Sequence, residues 1–208
     1  MRKIFSLTVA IGMLFALPAA AQAPTSGAPD GTRTRIRGTV EKLEGQTLTV
    51  KSRDGQQVTI ALAPDFTVQG VAKRHLADIK TGDYVASTSV KGAEGNLHAV
   101  EIHIFPEAMR GVAEGQQPWD LVPDGLMTNA TVSGITEAPE GQLLKVSYKG
   151  GEAEVIVGPD IPIVTYVPGD PGLLKPGAAI FCIALKKPDG ALTAARVTAE
   201  KDGVKPPM

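Results

Sequence analysis

From Ile36 to Ala199 the chain is dominated by alternating apolar and polar residues, the two-residue period of a half-buried strand. Ile36, Gly38 and Val40 alternate with polar neighbours; Leu48 and Val50 follow, then Val58, Ile60 and Leu62. Asp54-Gly55, between the second and third runs, is a tight-turn signal. Lys73 to Ile79 has room for one or two helical turns. Lys80-Thr81-Gly82-Asp83 reads as a turn and Tyr84 to Val90 as a fourth strand. A fifth, Leu97 to Phe105, sets Val100, Ile102 and Ile104 on one face.

The same pattern recurs. Gly45 matches Gly141, Leu48 matches Leu144, Val50 matches Val146 and Gly55 matches Gly151, each 96 residues on. Gly82 matches Gly177, Gly95 matches Gly190, Ala99 matches Ala194 and Ile102 matches Val197, each 95 residues on. A one-residue deletion reconciles the offsets, and the match marks an internal repeat. The second unit predicts strands at Thr131–Thr136, Leu143–Tyr148, Ala153–Val157, Ala179–Lys186 and Leu192–Ala199. Its helix slot, Val167 to Gly172, is rich in Pro and Gly and predicts an irregular loop. Three strands, a short helix and two strands is the order of a small OB-type barrel. The expected fold is all-β: two tandem five-stranded OB-like barrels, residues 35–105 and 130–201, joined by an ordered connector over 106–129, with a tail over 202–208.

The start of the chain follows a different pattern. Met1-Arg2-Lys3, an apolar run from Ile4 to Leu17, and Pro18-Ala19-Ala20-Ala21 have the plan of a cleavable secretory signal peptide, residues 1–21. The run is shorter than the roughly 20 apolar residues of a membrane span. Cleavage is expected after Ala21, with Ala23 as the alternative, and no Cys follows to carry a lipid anchor. This implies a periplasmic protein that does not span the membrane after processing. Residues 22–34, rich in Pro, Gly, Ser and Thr, read as a flexible arm. Processing removes two cations and takes the formal charge from −1 to −3. Such a balance argues against a nucleic-acid partner, as does the lack of aromatics on the second and third strands. The single cysteine, Cys182, has no internal disulfide partner and sits in an apolar strand, which favours an inert buried thiol.

The connector is the odd part. From Phe105 to Asn129 it has neither strand nor helix period, yet it holds the sole Trp, Trp119, with Phe105, Met109, Val112, Leu121, Leu126 and Met127. So much apolar surface predicts a strap packed across the seam between the barrels. Met109, Arg110, Glu114, Trp119 and Asp120 are its candidate binding residues, with Arg110 expected beside Glu114 or Asp120. Glu101 to Gly111, Pro118-Trp119-Asp120, Met127 to Thr131 and the terminal Pro206-Pro207-Met208 resemble an exported proteobacterial family with a tandem domain of unknown function. The resemblance spans nearly the whole mature chain. It implies no settled activity; some relatives carry a metal-transport permease label, which a chain without transmembrane helices does not fit. Members often carry His where this chain has Gln116.

Candidate chemistry is sparse. Glu101 and His103 share a strand face and could begin a divalent-metal site, to be completed by Glu107, Glu114, Asp120 or Met109; His98 has the opposite parity. The alternative for the pair is a solvated outer strand face. No phosphate loop, dinucleotide fingerprint or Gly-x-Ser-x-Gly elbow occurs. The expectation is a non-enzymatic binding module of the cell envelope, with no cofactor required, whose partner is an envelope protein or a small ligand. A metal-ion-binding protein is the alternative.

Overall fold

The computed structural model describes residues 31–93 and 95–207. The expected signal peptide and residues 22–30 of the expected arm lie outside them. The described chain is all-β, with three short 3-10 turns at Leu76–Asp78, Glu107–Met109 and Pro171–Leu173. The first of these falls in the expected helical slot; the third falls in the expected loop. Among the described residues no helix is long and apolar enough to cross a membrane.

Five strands close a barrel: β1 (Thr32–Glu44), β2 (Thr47–Ser52), β3 (Gln57–Arg74), β12 (Leu192–Ala199) and β11 (Ala179–Lys186). Antiparallel pairs β1–β2, β2–β3, β11–β12 and β1–β11, with a parallel β3–β12 pair, complete the ring. Its interior is apolar, with Ile36, Val40, Leu48, Val50, Ile60, Val197 and Ala199 all buried. β1 begins at Thr32, paired with Lys186, so residues 32–34 belong to the barrel and not to the arm.

The remaining strands are β4 (Tyr84–Lys91), β5 (Leu97–Ile104), β6 (Gly115–Pro118), β7 (Leu126–Ala138), β8 (Gly141–Tyr148), β9 (Gly151–Val157) and β10 (Ile163–Pro168). β5–β4–β7–β8–β9 run side by side, and β5 returns to pair in parallel with both β9 and β10. A second apolar core, including Val85, Ile102, Val132, Leu144, Val155 and Val157, fills that group.

This partition corrects the expectation that residues 35–105 and 130–201 each close on themselves. β4 and β5 from the first repeat join β7–β9 of the second, and β11 and β12 from the second join β1–β3 of the first. The physical reason lies in β3, which does not stop at Leu62. Residues 63–74 are roughly 40 Å of extended chain at about 3.3 Å per residue; they follow β12 as far as Gly70 and run on past it before the turn to β4. There β3 pairs antiparallel with β10, from Ile163 opposite Arg74 to Pro168 opposite Gln69.

The repeat itself is real. Leu48 and Leu144, Val50 and Val146, and Ile102 and Val197 are all buried. Val68–Gly70 pair in parallel with Val197–Ala199, and their counterparts 95 residues away, Ile163–Thr165, pair with Ile102–Ile104. Gly82 and Gly177 share the left-handed backbone, φ 96° and 88°, as do Gly95 and Gly190 at 90° and 87°. At the second hairpin Gly150, φ 99°, takes the place of Gly151 as the partner of Gly55. Opposite each other in the β3–β10 pairing stand Val71 and Tyr166, themselves 95 residues apart. The two halves are therefore related by an approximate dyad through that pair.

A fragment of residues 31–105 holds three strands that lack β11 and β12 and two that lack β7–β9. It is expected to be unfolded, or to dimerise by supplying the missing strands in trans, when sedimentation and circular dichroism are compared. A cooperatively melting monomer would contradict the exchange.

Candidate functional site

The outer faces of the two halves meet along a seam. From the barrel, residues of β1 that alternate with buried Ile36 project outward, namely Arg33, Arg35 and Arg37, beside Phe181 and Ile183 of β11. From the other half come Ala86 of β4 and Met127 of β7, packed with Trp119 and Phe181 in a third apolar cluster. Phe105, Leu121, Tyr166 and Ile183 are packed against it. The Trp119 ring lies 6.2 Å from that of Phe181, and Tyr166 lies 5.6 Å from Phe105 and 5.2 Å from His103.

The connector forms part of this seam. Contrary to its lack of period, it contains a strand: β6 pairs with the start of β7, Gly115 opposite Asn129 through Pro118 opposite Leu126. The loop between them is pinned by Trp119 N–H donating to the Gly125 carbonyl at 2.7 Å. A Cβ at Gly125 would sit 2.5 Å from the Trp119 carbonyl oxygen, so this turn requires glycine. Trp119 is 7% exposed. Arg35 stacks over its ring at 4.0 Å, with Arg37 at 5.7 Å.

The other strap residues are dispersed. Asp120 accepts a hydrogen bond from Arg37 at 3.0 Å and lies 3.6 Å from Arg35. Burial alone would push its carboxyl up. The hydrogen bond and charge of Arg37, its own backbone N–H and the Arg35 charge outweigh that and hold it below its ordinary 3.8. The charge thus stabilises the fold above 3.8 and ceases to do so as pH falls through the lowered value. At 54% side-chain exposure the contribution is screened and small.

Arg110 turns neither to Glu114 nor to Asp120. It donates to both carboxylate oxygens of Glu107, at 2.6 and 2.7 Å, and to the Gly82 carbonyl at 3.0 Å. The i, i+3 spacing across the 3-10 turn makes the nearer acid the better partner. Glu114 accepts from the Lys149 backbone N–H at 3.0 Å. Tyr84 donates to the Val112 carbonyl at 3.1 Å; burial first and then the Glu114 charge push its phenol up to about 12, against Arg110.

Glu101 and His103 do share a face of β5, but not a solvated one: they are 1% and 0% exposed. A bulge between the Thr88–Glu101 and Ser89–Ala99 pairs leaves Val100 without an opposite residue. Leu97 and Ala99 before it, and Ile102 and Ile104 after it, therefore all pack on the same core, and the expected Val100–Ile102–Ile104 face is broken. Glu101 pairs with His103 across 3.2 Å and accepts from the Thr88 hydroxyl at 2.6 Å; the other ring nitrogen of His103, Nδ1, is buried with no hydrogen-bond partner. His98 turns to Glu140, 3.4 Å away. Among the described residues no three His, Cys, Asp or Glu side chains cluster to hold a metal ion. Glu107, Glu114 and Asp120, the expected further ligands, are engaged elsewhere. Cys182 is buried in the barrel, and burial pushes its thiol up to about 12, where it is no nucleophile.

Between the two faces lies a cleft of about 700 Å³. Its lining includes Arg33, Arg35 and Arg196 with Trp119, Phe105 and Phe181, and it contains no Asp, Glu or His. Of the strap candidates only Met109 and Trp119 line it; Arg110, Glu114 and Asp120 do not. The arginines, Tyr166, Asn129 and Phe181 were not singled out from sequence. Their one visible signal is Arg33-x-Arg35-x-Arg37, three cations on one strand face, obscured by the assignment of Arg33 to the arm.

Comparison with protein-family models, with curated proteins and with solved structures finds no match for this chain.

Replacing Trp119 with Ala empties the centre of the seam and should cost about 3–5 kcal/mol. For a chain of this size that lowers Tm by roughly 10 °C. Thermal melts of the two forms check it; an unchanged Tm would mean that the strap is not part of the folded core.

Proposed function

We propose that this chain is a non-enzymatic binding module of the cell envelope, exported to the periplasm, with its ligand site in the seam cleft. The observation that carries this is the cleft itself: about 700 Å³, lined by aromatic and cationic side chains together, with no carboxylate or imidazole in its lining. That volume lies within the roughly 300–1,000 Å³ of small-molecule sites. Its groups can hold and orient a ligand. A carboxylate or imidazole base is not among what they offer, and the inert Cys182 adds no nucleophile.

On this reading the two repeats are OB-like units that have exchanged their last two strands. Each contributes one outer face to the cleft, and the faces are unequal. Phe181 stands where the other repeat has Ala86, and Arg196 where it has Glu101, each 95 residues apart. Divergence of equivalent positions across a seam is what a ligand site built on a duplicated fold would produce.

Ala195 is exposed on the cleft wall. Ala195→Trp should fill the cleft and leave the cores intact. Native mass spectrometry and metal analysis of protein recovered from the periplasm should show a small molecule on the wild type and none on the variant. A ligand retained by the variant would place the site elsewhere, and a stoichiometric metal would favour Glu101 and His103 instead.

A further inference from the structure

The chemistry of the cleft narrows its ligand. Among the described residues Arg33 and Arg196 make no hydrogen bond or ion pair. Arg35 and Arg37 share one carboxylate, that of Asp120. Two further donors at the seam, Trp119 Nε1–H and Arg37 Nε–H, are buried without an acceptor. Cations and unmet donors thus gather on one side of a chain whose formal charge is −1. Concentrated like charge beside low-dielectric aromatic walls attracts an anion, and guanidinium groups bind carboxylate or phosphate by paired hydrogen bonds. The facing wall, with Phe105, Met109 and Met127, offers nothing to a second charged group and suits an apolar body.

Resting on the proposed function above, we infer that the cleft binds an anionic amphiphile: one carboxylate or phosphate head held by Arg33 and Arg196, and an apolar body lying against Trp119 and Phe181. Asn129 also lines the cleft, and its Oδ1 is buried without a donor. It is placed to accept from a hydroxyl or amide N–H of the ligand.

The test titrates the purified full chain with decanoate, decyl phosphate and decanol, all below their aggregation limits. Trp119 emission reads affinity and native mass spectrometry reads stoichiometry. One anion per chain is expected, bound at least tenfold more tightly than decanol. The double variant Arg33→Gln, Arg196→Gln should bring the anion to the affinity of decanol and leave decanol itself unchanged. Ala195→Trp should abolish both. A preference for decanoate identifies a free carboxylic acid as the ligand type, and a preference for decyl phosphate a phosphate-headed lipid.

Equal binding of decanol and the anions would overturn the inference and leave the cleft as a site for neutral ligands. Anion binding untouched by Ala195→Trp would overturn both the inference and the proposed site. No binding of any probe would overturn the inference alone, since the periplasmic recovery experiment reads the site independently.

Discussion

The structure hangs on one antiparallel pairing, that of β3 with β10. An edge strand cannot remain bare without inviting association, and β3 runs past its own barrel as far as Arg74. β10 covers that overhang and at the same time pairs in parallel with β5. One continuous hydrogen-bonded path therefore joins both apolar cores. Because Val71 faces Tyr166 on the approximate dyad, the chain holds within itself the arrangement of a strand-exchanged dimer. Neither half can close without two strands from the other.

The cleft follows from that constraint. Pairing at the dyad fixes the distance between the outer faces of the two halves, and the strap fills only part of the gap. Trp119, wedged between Phe181 and Met127, carries Arg35 on its ring. Asp120, the next residue, restrains Arg35 and Arg37 from outside the cleft. The strap is thus structural at its centre, and it orients the cations that face the open remainder. Glu101 and His103, both buried, pair with each other, and Glu101 also accepts from Thr88, while His103 Nδ1 is left without a partner. They lie outside the cleft lining, and no third ligand stands near them among the described residues.

Local patterns were legible and long-range partners were not. The alternation at Leu48–Val50 and Val58–Leu62, the Gly turns and the repeat offset all report which face of a strand is buried, and the buried positions agree. Apolar content in the connector pointed to Trp119 in the seam. Strand exchange leaves no such mark, because a strand's face pattern is the same whichever barrel it closes. The bulge at Val100 was equally silent and mis-set the core face of β5. The second helix slot hid β10, since Pro and Gly at residues 168–172 masked the short apolar run Ile163 to Val167 before them. Arg110 went to Glu107 because a 3-10 turn, invisible as a period over three residues, brought them together. Arg196 gave no sign at all, since only the fold brings it to line the same cleft as Arg35, 161 residues before it.

The exchange is tested most directly by a disulfide across the dyad. Opposed residues in an antiparallel pair have Cα atoms about 4.5–5.5 Å apart, inside the roughly 4.4–6.8 Å a disulfide needs. In Val71→Cys, Tyr166→Cys, mild oxidation should link the two new cysteines within one chain, leaving buried Cys182 free, as peptide mapping by mass spectrometry would show. If both stay as thiols in a folded protein, β3 and β10 are not neighbours and each repeat closes on itself.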